Sequence, residues 1–472
     1  MRRRLLLESL MVPAIASTLP AVAQGTEAFA VADLSHAELL RERSLKDAVA
    51  YSLVSSLVRE VGPRPAGSAA DARAVQWALA RLQSLGFGNV RAEEMPLQVW
   101  QRGPCTVTLL APGPQPLVAA ALGNSRVTLP DGLEGEVVYY PDFAALKSDT
   151  GDRARGRIVF VDQKMESTRD GSGYGPAGRS RYYGPAEAAR RGALAFVIRS
   201  VGTDNDPVAH TGATDSEANV SPVPGVAVSI PDADRVAALH AAGTPLRMRV
   251  QVEAKVVGGL TSHNVIAEVP GGDLAEEIVL LGAHLDSWDI SPGAIDDGAG
   301  VALVTAAAKA VLDGGRKPRR TIRVVLFANE ENGFDGAKAY AQRYASVRHQ
   351  MVAESDTGAE RVWRMRSRVA PQALPAISAI AGLLRPLGID APGNDGTPGA
   401  DAGILMRAHG WPAMELTQDA SRYFDVHHTA NDTLDRIDAA ALPQAVAAWA
   451  TLAWLAAQSR AAFGPLEGNG KP

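Results

Sequence analysis

Hydrophobic and polar positions divide the chain into three stretches of different character. In the first, "HAELLRERSLKDAVAYSLVSSLVREVG" carries apolar residues at helical spacing and stops at Gly62-Pro63. "SAADARAVQWALARLQSLGF" predicts a second helix ending at Gly86, and "NVRAEEMPLQVWQRG" a strand. From Cys105 to about Val257 the pattern turns to short β-rich runs ("CTVTLLAP", "GEVVYYP", "GRIVFVDQ", "PLRMRVQVEAKVV") divided by turns. Only one helix is expected there, within "GPAEAARRGALAFVIRSV", while "KMESTRDGSGYGPAGRSRYYG" reads as an exposed, glycine-rich loop. From "HNVIAEVPG" onward strand and helix alternate up to a last helix, "ALPQAVAAWATLAWLAAQ". Near-continuous apolar strands between helices predict an α/β fold: a mostly parallel central sheet with helices on both faces, interrupted by a β-rich insertion. The expected organisation is a main α/β body at 24–103 and 258–465, an inserted domain at 104–257 and a flexible tail at 466–472.

Composition changes this picture little, except at the amino end. The chain has 472 residues, a formal net charge of -5 and 46% hydrophobic residues, enough for a large core. It has no basic footprint for nucleic acid and no run of apolar residues long enough to span a membrane. "MRRRLLLESLMVPAIASTLPAVAQG" has the basic start, apolar stretch and small-residue site of an export signal, cleaved after Ala23. Its arginines also suit a twin-arginine signal. The expected location is therefore periplasmic or secreted. Cys105 is the only cysteine, which excludes an internal disulfide and any zinc site built on two thiolates.

The informative chemistry lies at predicted strand ends. His284 and Asp286 close one strand, with Asp296 and Asp297 in the loop before the next helix. Glu330 and Glu331 close "VVLFANEE", Asp356 follows "HQMVAES", and His428 stands in the loop "YFDVHHTANDTLD". In open α/β sheets functional groups collect past the carboxyl ends of the strands, so these residues converge on one edge. Histidine with carboxylates suits zinc, and this many carboxylates can hold two ions about 3.5–4 Å apart. One carboxylate must then bridge them; Asp296, among glycines, is the best placed. Glu330 is left as general base toward a metal-activated water, and Asp286 as acceptor for the second His284 nitrogen.

"HLDSWD", "GAIDDGAG", "NEENG", "ESDTG" and "HHTANDTLD" resemble the co-catalytic zinc aminopeptidase family of metallopeptidases. The resemblance runs through most of the chain, and "EAARRGALAFVIRSV" is similar to a protease-associated (PA) domain. It implies one zinc held by His284, Asp296 and Asp356 and another by Asp296, Glu331 and His428, with Glu330 as base. It further implies hydrolysis of small peptides, dipeptides with free ends in particular, and a homodimer.

Secondary candidates for substrate contact are His427, Tyr423 and Asp401. His210 and the remaining histidines lack an acidic constellation and read as structural, and Asp215 and Glu217 as solvated surface. Three other readings stay open. They are an aminopeptidase for longer peptides, a receptor-like binding protein without activity, and a single-metal transferase, which the complete double ligand set disfavours.

Overall fold

Residues 28–46, 48–215 and 220–466 are described in the computed structural model; the expected export signal and the end of the tail lie outside them, as does Glu217. The first apolar stretch forms two helices rather than one, α1 (Val31–Ser44) and α2 (Val49–Glu60). They part because they serve different neighbours: α1 lies along the last helix of the chain, α2 against the helix that follows the Asp296 loop. Ser68 caps α3 (Ala69–Ser84), accepting the Asp71 N–H at 3.1 Å. Strand β1 (Gly88–Ala111) then leaves the body of the molecule.

The segment that follows holds β2 (Gln115–Leu117), β3 (Ala119–Ala121), β4 (Leu133–Tyr140), α4 (Phe143–Ser148), β5 (Ile158–Val161), α5 (Tyr174–Arg190), β6 (Ala195–Arg199), β7 (Gly225–Val228) and α6 (Ile230–Ala241). It is not merely β-rich: β4 to β7 run parallel in sequence order, and three helices accompany them where one was expected. Helix α6 starts at a Ser229 cap with Pro231 in its first turn, a readable signal. The stretch read as exposed loop contains the first half of α5, whose glycines and Pro185 hide its helical character. Packing requires one of them: a Cβ at Gly184 would lie 2.1 Å from the Phe196 ring on β6.

Strand β8 (Arg247–Val269) brings the chain back, antiparallel to β1 from the Gly88–Glu268 pair to the Ala111–Arg247 pair. Both strands pass through the expected domain junctions without a break. The register slips between Leu97 and Val99 and between Arg102 and Cys105.

The remaining elements are β9 (Leu274–His284), α7 (Gly300–Leu312), β10 (Arg320–Phe327), α8 (Asp335–Arg343), β11 (His349–Glu354), β12 (Val362–Arg368), α9 (Leu374–Leu384), α10 (Ala400–His409), β13 (Ala413–Gln418) and α11 (Leu442–Gln458). The sheet order is β12-β13-β11-β9-β10-β8, with β13, β11, β9 and β10 parallel and both edges antiparallel. The expected mostly parallel sheet with flanking helices is present. Its apolar runs are explained by burial on both faces. Val279, Leu281 and Ala283 enter the core shared with α1, α2, α7 and α11, while Ile278 and Leu280 face α8 and α10. Helix α11 is buried all round, Trp449 and Trp454 completely, as its uniformly apolar sequence requires. Among the described residues no helix is long and apolar enough to cross a membrane.

Candidate metal centre

Parallel strands place their carboxyl ends along one edge, and the residues singled out in the sequence meet there. His284 is the last residue of β9 and lies beside Phe327, the last of β10. Beyond β10, Asn329 takes a left-handed conformation (φ 57°), and its carbonyl accepts the Gly333 N–H at 3.1 Å. This turn separates Glu330 and Glu331, which a straight strand would send to opposite faces. Glu330 reaches the cleft wall half-buried; Glu331 is buried, its Oε2 3.1 Å from His428 Nε2. Asp356 follows β11 by two residues, and His428 lies in the loop after β13.

Asp296 is the centre of the arrangement. Its Oδ1 lies 3.1 Å from His284 Nε2, which is also 3.6 Å from Asp356 Oδ1. Its Oδ2 lies 3.3 Å from His428 Nε2. One carboxylate thus presents its two oxygens to two histidines, with Asp356 beside His284 and Glu331 beside His428, and Glu331 also within reach of His284. His427 stacks on His428 with ring centres 3.5 Å apart, its Nε2 3.6 Å from Asp296 Oδ2.

The donors fit a cation. The Thr211 carbonyl lies 3.2 Å from His428 Nδ1 and can only accept, so that nitrogen carries the hydrogen. Burial first, and the neighbouring His427, hold the His428 pKa well below its usual value, so the ring is neutral. Its Nε2 lone pair then faces two carboxylate oxygens at 3.1 and 3.3 Å. A positive ion between them fits that geometry, as does a proton held by Glu331. Glu331 Oε1 is also buried without a hydrogen-bond partner. Burial, then neighbouring acids, push Glu330, Glu331 and Asp297 well above the usual carboxylate range. His284 is pulled up by Asp296 and Asp356 against the opposing effect of burial. A bound cation would compete with that proton for the same lone pair.

Two expected roles change hands. The His284 Nδ1 partner is the backbone carbonyl of Asp286, at 3.1 Å; the Asp286 carboxylate is 3.8 Å away. That carboxylate instead accepts the Glu330 N–H at 3.1 Å and so anchors the turn. Asp401 does not reach the cleft: the start of α10 turns it inward, fully buried beside Glu354, while Gly399 and Ala400 form the wall. Tyr423 and His427 do line the cleft, and so does Asp215, read earlier as solvated surface.

Asp297, named from the sequence without a role, proves to be a supporting residue, and Asp432 and Arg64 escaped the sequence reading altogether. Asp297 is fully buried; its carboxylate accepts the His284 and Gly300 N–H groups, each at 3.0 Å, and ties β9 to α7. Gly300 must be glycine there, since a Cβ would sit 2.0 Å from the Ser355 carbonyl oxygen. Asp432, within "HHTANDTLD", accepts the Ile295 and Asp296 N–H groups at 2.7 and 3.1 Å. Arg64 is fully buried and donates to the carbonyls of Leu285, Pro292 and Gly293 at 2.5, 2.8 and 2.9 Å. The strand-end rule points only at groups facing the site, so it passes over those that hold the loops from behind.

The cleft encloses about 620 Å³, and part of its wall comes from the inserted segment: Asn124, Asp170, Tyr174, Arg181, Tyr182 and Asp215. Arg181 is buried, donates to the Tyr174 hydroxyl at 2.7 Å and has an unpartnered Nε. No carboxylate pairs with it among the described residues.

A model of "Peptidase family M28" matches residues 264–453. The chain is 31% identical to carboxypeptidase Q of Mus musculus over 409 residues, 86% of this chain and 85% of the relative. The same figures hold for carboxypeptidase Q of Homo sapiens. A solved structure, a peptidase M28 precursor from Shewanella amazonensis SB2B, superposes with a TM-score of 0.90 at 45% identity, covering 93% of this chain and 99% of that one. An aminopeptidase from Aneurinibacillus sp. strain AM-1 shares the fold, with a TM-score of 0.61 at 23% identity over 91% of this chain and 98% of that one.

Proposed function

The chain belongs to peptidase family M28 as a zinc metallopeptidase, and from that premise we propose that it is an exported two-zinc exopeptidase hydrolysing small peptides, dipeptides with free ends above all. The observation that carries this reading is the double-facing Asp296 carboxylate, with His284 and Asp356 on one side and Glu331 and His428 on the other. His284, Asp296 and Asp356 would hold one zinc, and Asp296, Glu331 and His428 the other. When bound, zinc acidifies an attacking water and polarises the scissile carbonyl.

The chain's own groups do the rest. Glu330, on the cleft wall and with a proton affinity raised by burial and neighbouring acids, takes the proton of the attacking water and returns it to the leaving amine. Asp286 holds Glu330 in place through its backbone N–H. His427 and Tyr423 face the cleft, within reach of a reacting peptide. A buried guanidinium without a counter-ion is costly, and the terminal carboxylate of a dipeptide supplies one to Arg181. The inserted segment, which we read as a PA-like domain, walls the cleft and so favours short substrates over long ones. The family resemblance adds a homodimer to the reading, and "MRRRLLL" through Ala23 adds export.

The decisive experiment is Glu330→Ala with metal analysis. The variant keeps about two zinc ions per chain but loses turnover by several orders of magnitude. Turnover at the unaltered rate refutes the role of Glu330. An unaltered protein that binds zinc and cleaves no dipeptide supports a binding protein instead. Dipeptides and longer peptides assayed side by side, with zinc, cobalt and manganese in turn, separate the dipeptidase from an aminopeptidase of wider range.

A further inference from the structure

The loop that carries His428, between the end of β13 at Gln418 and Asp432, is built of short turns, with internal bonds such as the Val426 N–H to the Tyr423 carbonyl and the Thr429 N–H to the Val426 carbonyl. Ser167 and Arg169 anchor its start. Around His428 it is held from outside by residues 203–211 of the inserted segment. The Thr203 N–H donates to the Phe424 carbonyl at 3.1 Å, and its hydroxyl to Asp425 Oδ1 at 2.7 Å. His210 Nδ1 meets the His427 carbonyl at 2.7 Å, and the Thr211 N–H the His428 carbonyl at 3.2 Å. The Asn431 side chain donates to Asp206 Oδ2 at 3.0 Å.

His210 is the rigid part of this clamp. It is completely buried, packed against Gly202, and its Nε2 lies 2.8 Å from Asp204 Oδ1. Both ring nitrogens therefore meet acceptors, and the ring cannot rotate without losing one of them. The residue it steadies needs outside support: His428 sits at φ 62°, a left-handed conformation that a non-glycine residue keeps only where its surroundings dictate it. The next residue of the clamp, Thr211, offers the carbonyl that keeps the His428 hydrogen on Nδ1 and turns Nε2 toward Glu331 and Asp296.

We infer that His210, backed by Asp204, is a positioning residue for the metal ligand His428, so that the inserted segment completes the metal centre as well as walling the cleft. The inference rests on the two-metal reading, because it takes His428 as ligand to one of two ions. It also makes an asymmetric demand. His284 and Asp356 stand at the ends of β9 and β11, outside the clamp, and their ion should be indifferent to His210.

The test is zinc binding by the full-length chain, measured in competition with a chromophoric chelator, together with the melting temperature of the metal-free protein. In His210→Phe, which keeps an aromatic ring and removes both ring nitrogens, one zinc affinity falls about ten- to a hundredfold while the other stays within about twofold. Asp204→Asn, which keeps an acceptor, restores most of the affinity that Asp204→Ala loses. Both affinities falling together with the metal-free melting temperature would mean general loosening and overturn the inference, as would two unchanged affinities. If His210→Phe does not fold, Asp204→Ala decides by the same readings. An unaltered protein that binds fewer than two ions overturns the two-metal reading and the inference with it. Two ions in the unaltered protein and no change in the variants overturn the inference alone.

Discussion

Arg64 offers the sharpest test of how the metal-site loops are held. Its guanidinium is completely buried and spans both ends of the loop between the proposed ligands His284 and Asp296, through the carbonyls of Leu285, Pro292 and Gly293. It is also a cation beside Asp432, Asp286, Asp297 and Asp296. Arg64→Met keeps much of the volume and removes every donor. Three carbonyls lose partners at 2.5–2.9 Å, and the surrounding carboxylates lose a neighbouring positive charge. Relief of the buried guanidinium's own desolvation offsets part of this. Breaking a buried, hydrogen-bonded charge set costs about 3–5 kcal/mol. Arg64→Lys retains the charge but not the fork of donors and should lose about half as much. Urea denaturation of the metal-free chain, followed by circular dichroism, measures both. The loop links two ligands, so zinc affinity should fall as well. A methionine variant within about 1 kcal/mol of the unaltered protein and with unchanged zinc affinity would refute the reasoning.

Three further outcomes are expected. Arg181→Leu should lower kcat/KM for a free dipeptide by about ten- to a hundredfold, the worth of a hydrogen bond to a charged group, and leave the C-terminal amide of that dipeptide nearly unchanged; equal losses on both substrates would sink the carboxylate contact. Gly184→Ala drives a methyl group to within 2.1 Å of the Phe196 ring and should destabilise the inserted segment by about 1–3 kcal/mol, read from proteolysis within residues 104–257. Burial lowers the His349 pKa to about 3, with Tyr340 and the Val347 carbonyl as its partners, so the folded chain keeps this ring neutral while the unfolded chain takes up a proton below about pH 6.5. Stability must therefore drop as pH falls from 6.5 toward 3. At pH 5.5 this group accounts for roughly 1 kcal/mol of the loss relative to neutral pH, and His349→Gln should shrink the measured loss by about as much.

The limits of the sequence reading can be seen residue by residue. Strand β9 was readable because burial on both faces demands an unbroken apolar run, and the rule that function gathers at carboxyl ends then placed His284, Asp296, Glu331, Asp356 and His428 together. Helix α5 was readable only from Gly184 onward, since Gly175 and Gly178 in its first part are poor helix formers that its tertiary surroundings override. The single helix expected before Gly62 became α1 and α2 because periodicity records an apolar face and not the partner that the face meets.

Local pattern and residue chemistry alone determined the α/β class, the parallel sheet and which residues gather at the candidate metal centre. Each of these follows from constraints that act along the chain: burial of a strand, the period of a helix, the kinds of atom that bind zinc. Tertiary structure alone decided that a backbone carbonyl rather than a carboxylate meets His284 Nδ1, that Asp401 turns away from the cleft, and that Arg64, Asp432, Arg181 and His210 lie against the site and its loops. Those facts depend on contacts between residues as many as 229 positions apart. No pattern within one segment records which distant carbonyl its side chain will meet.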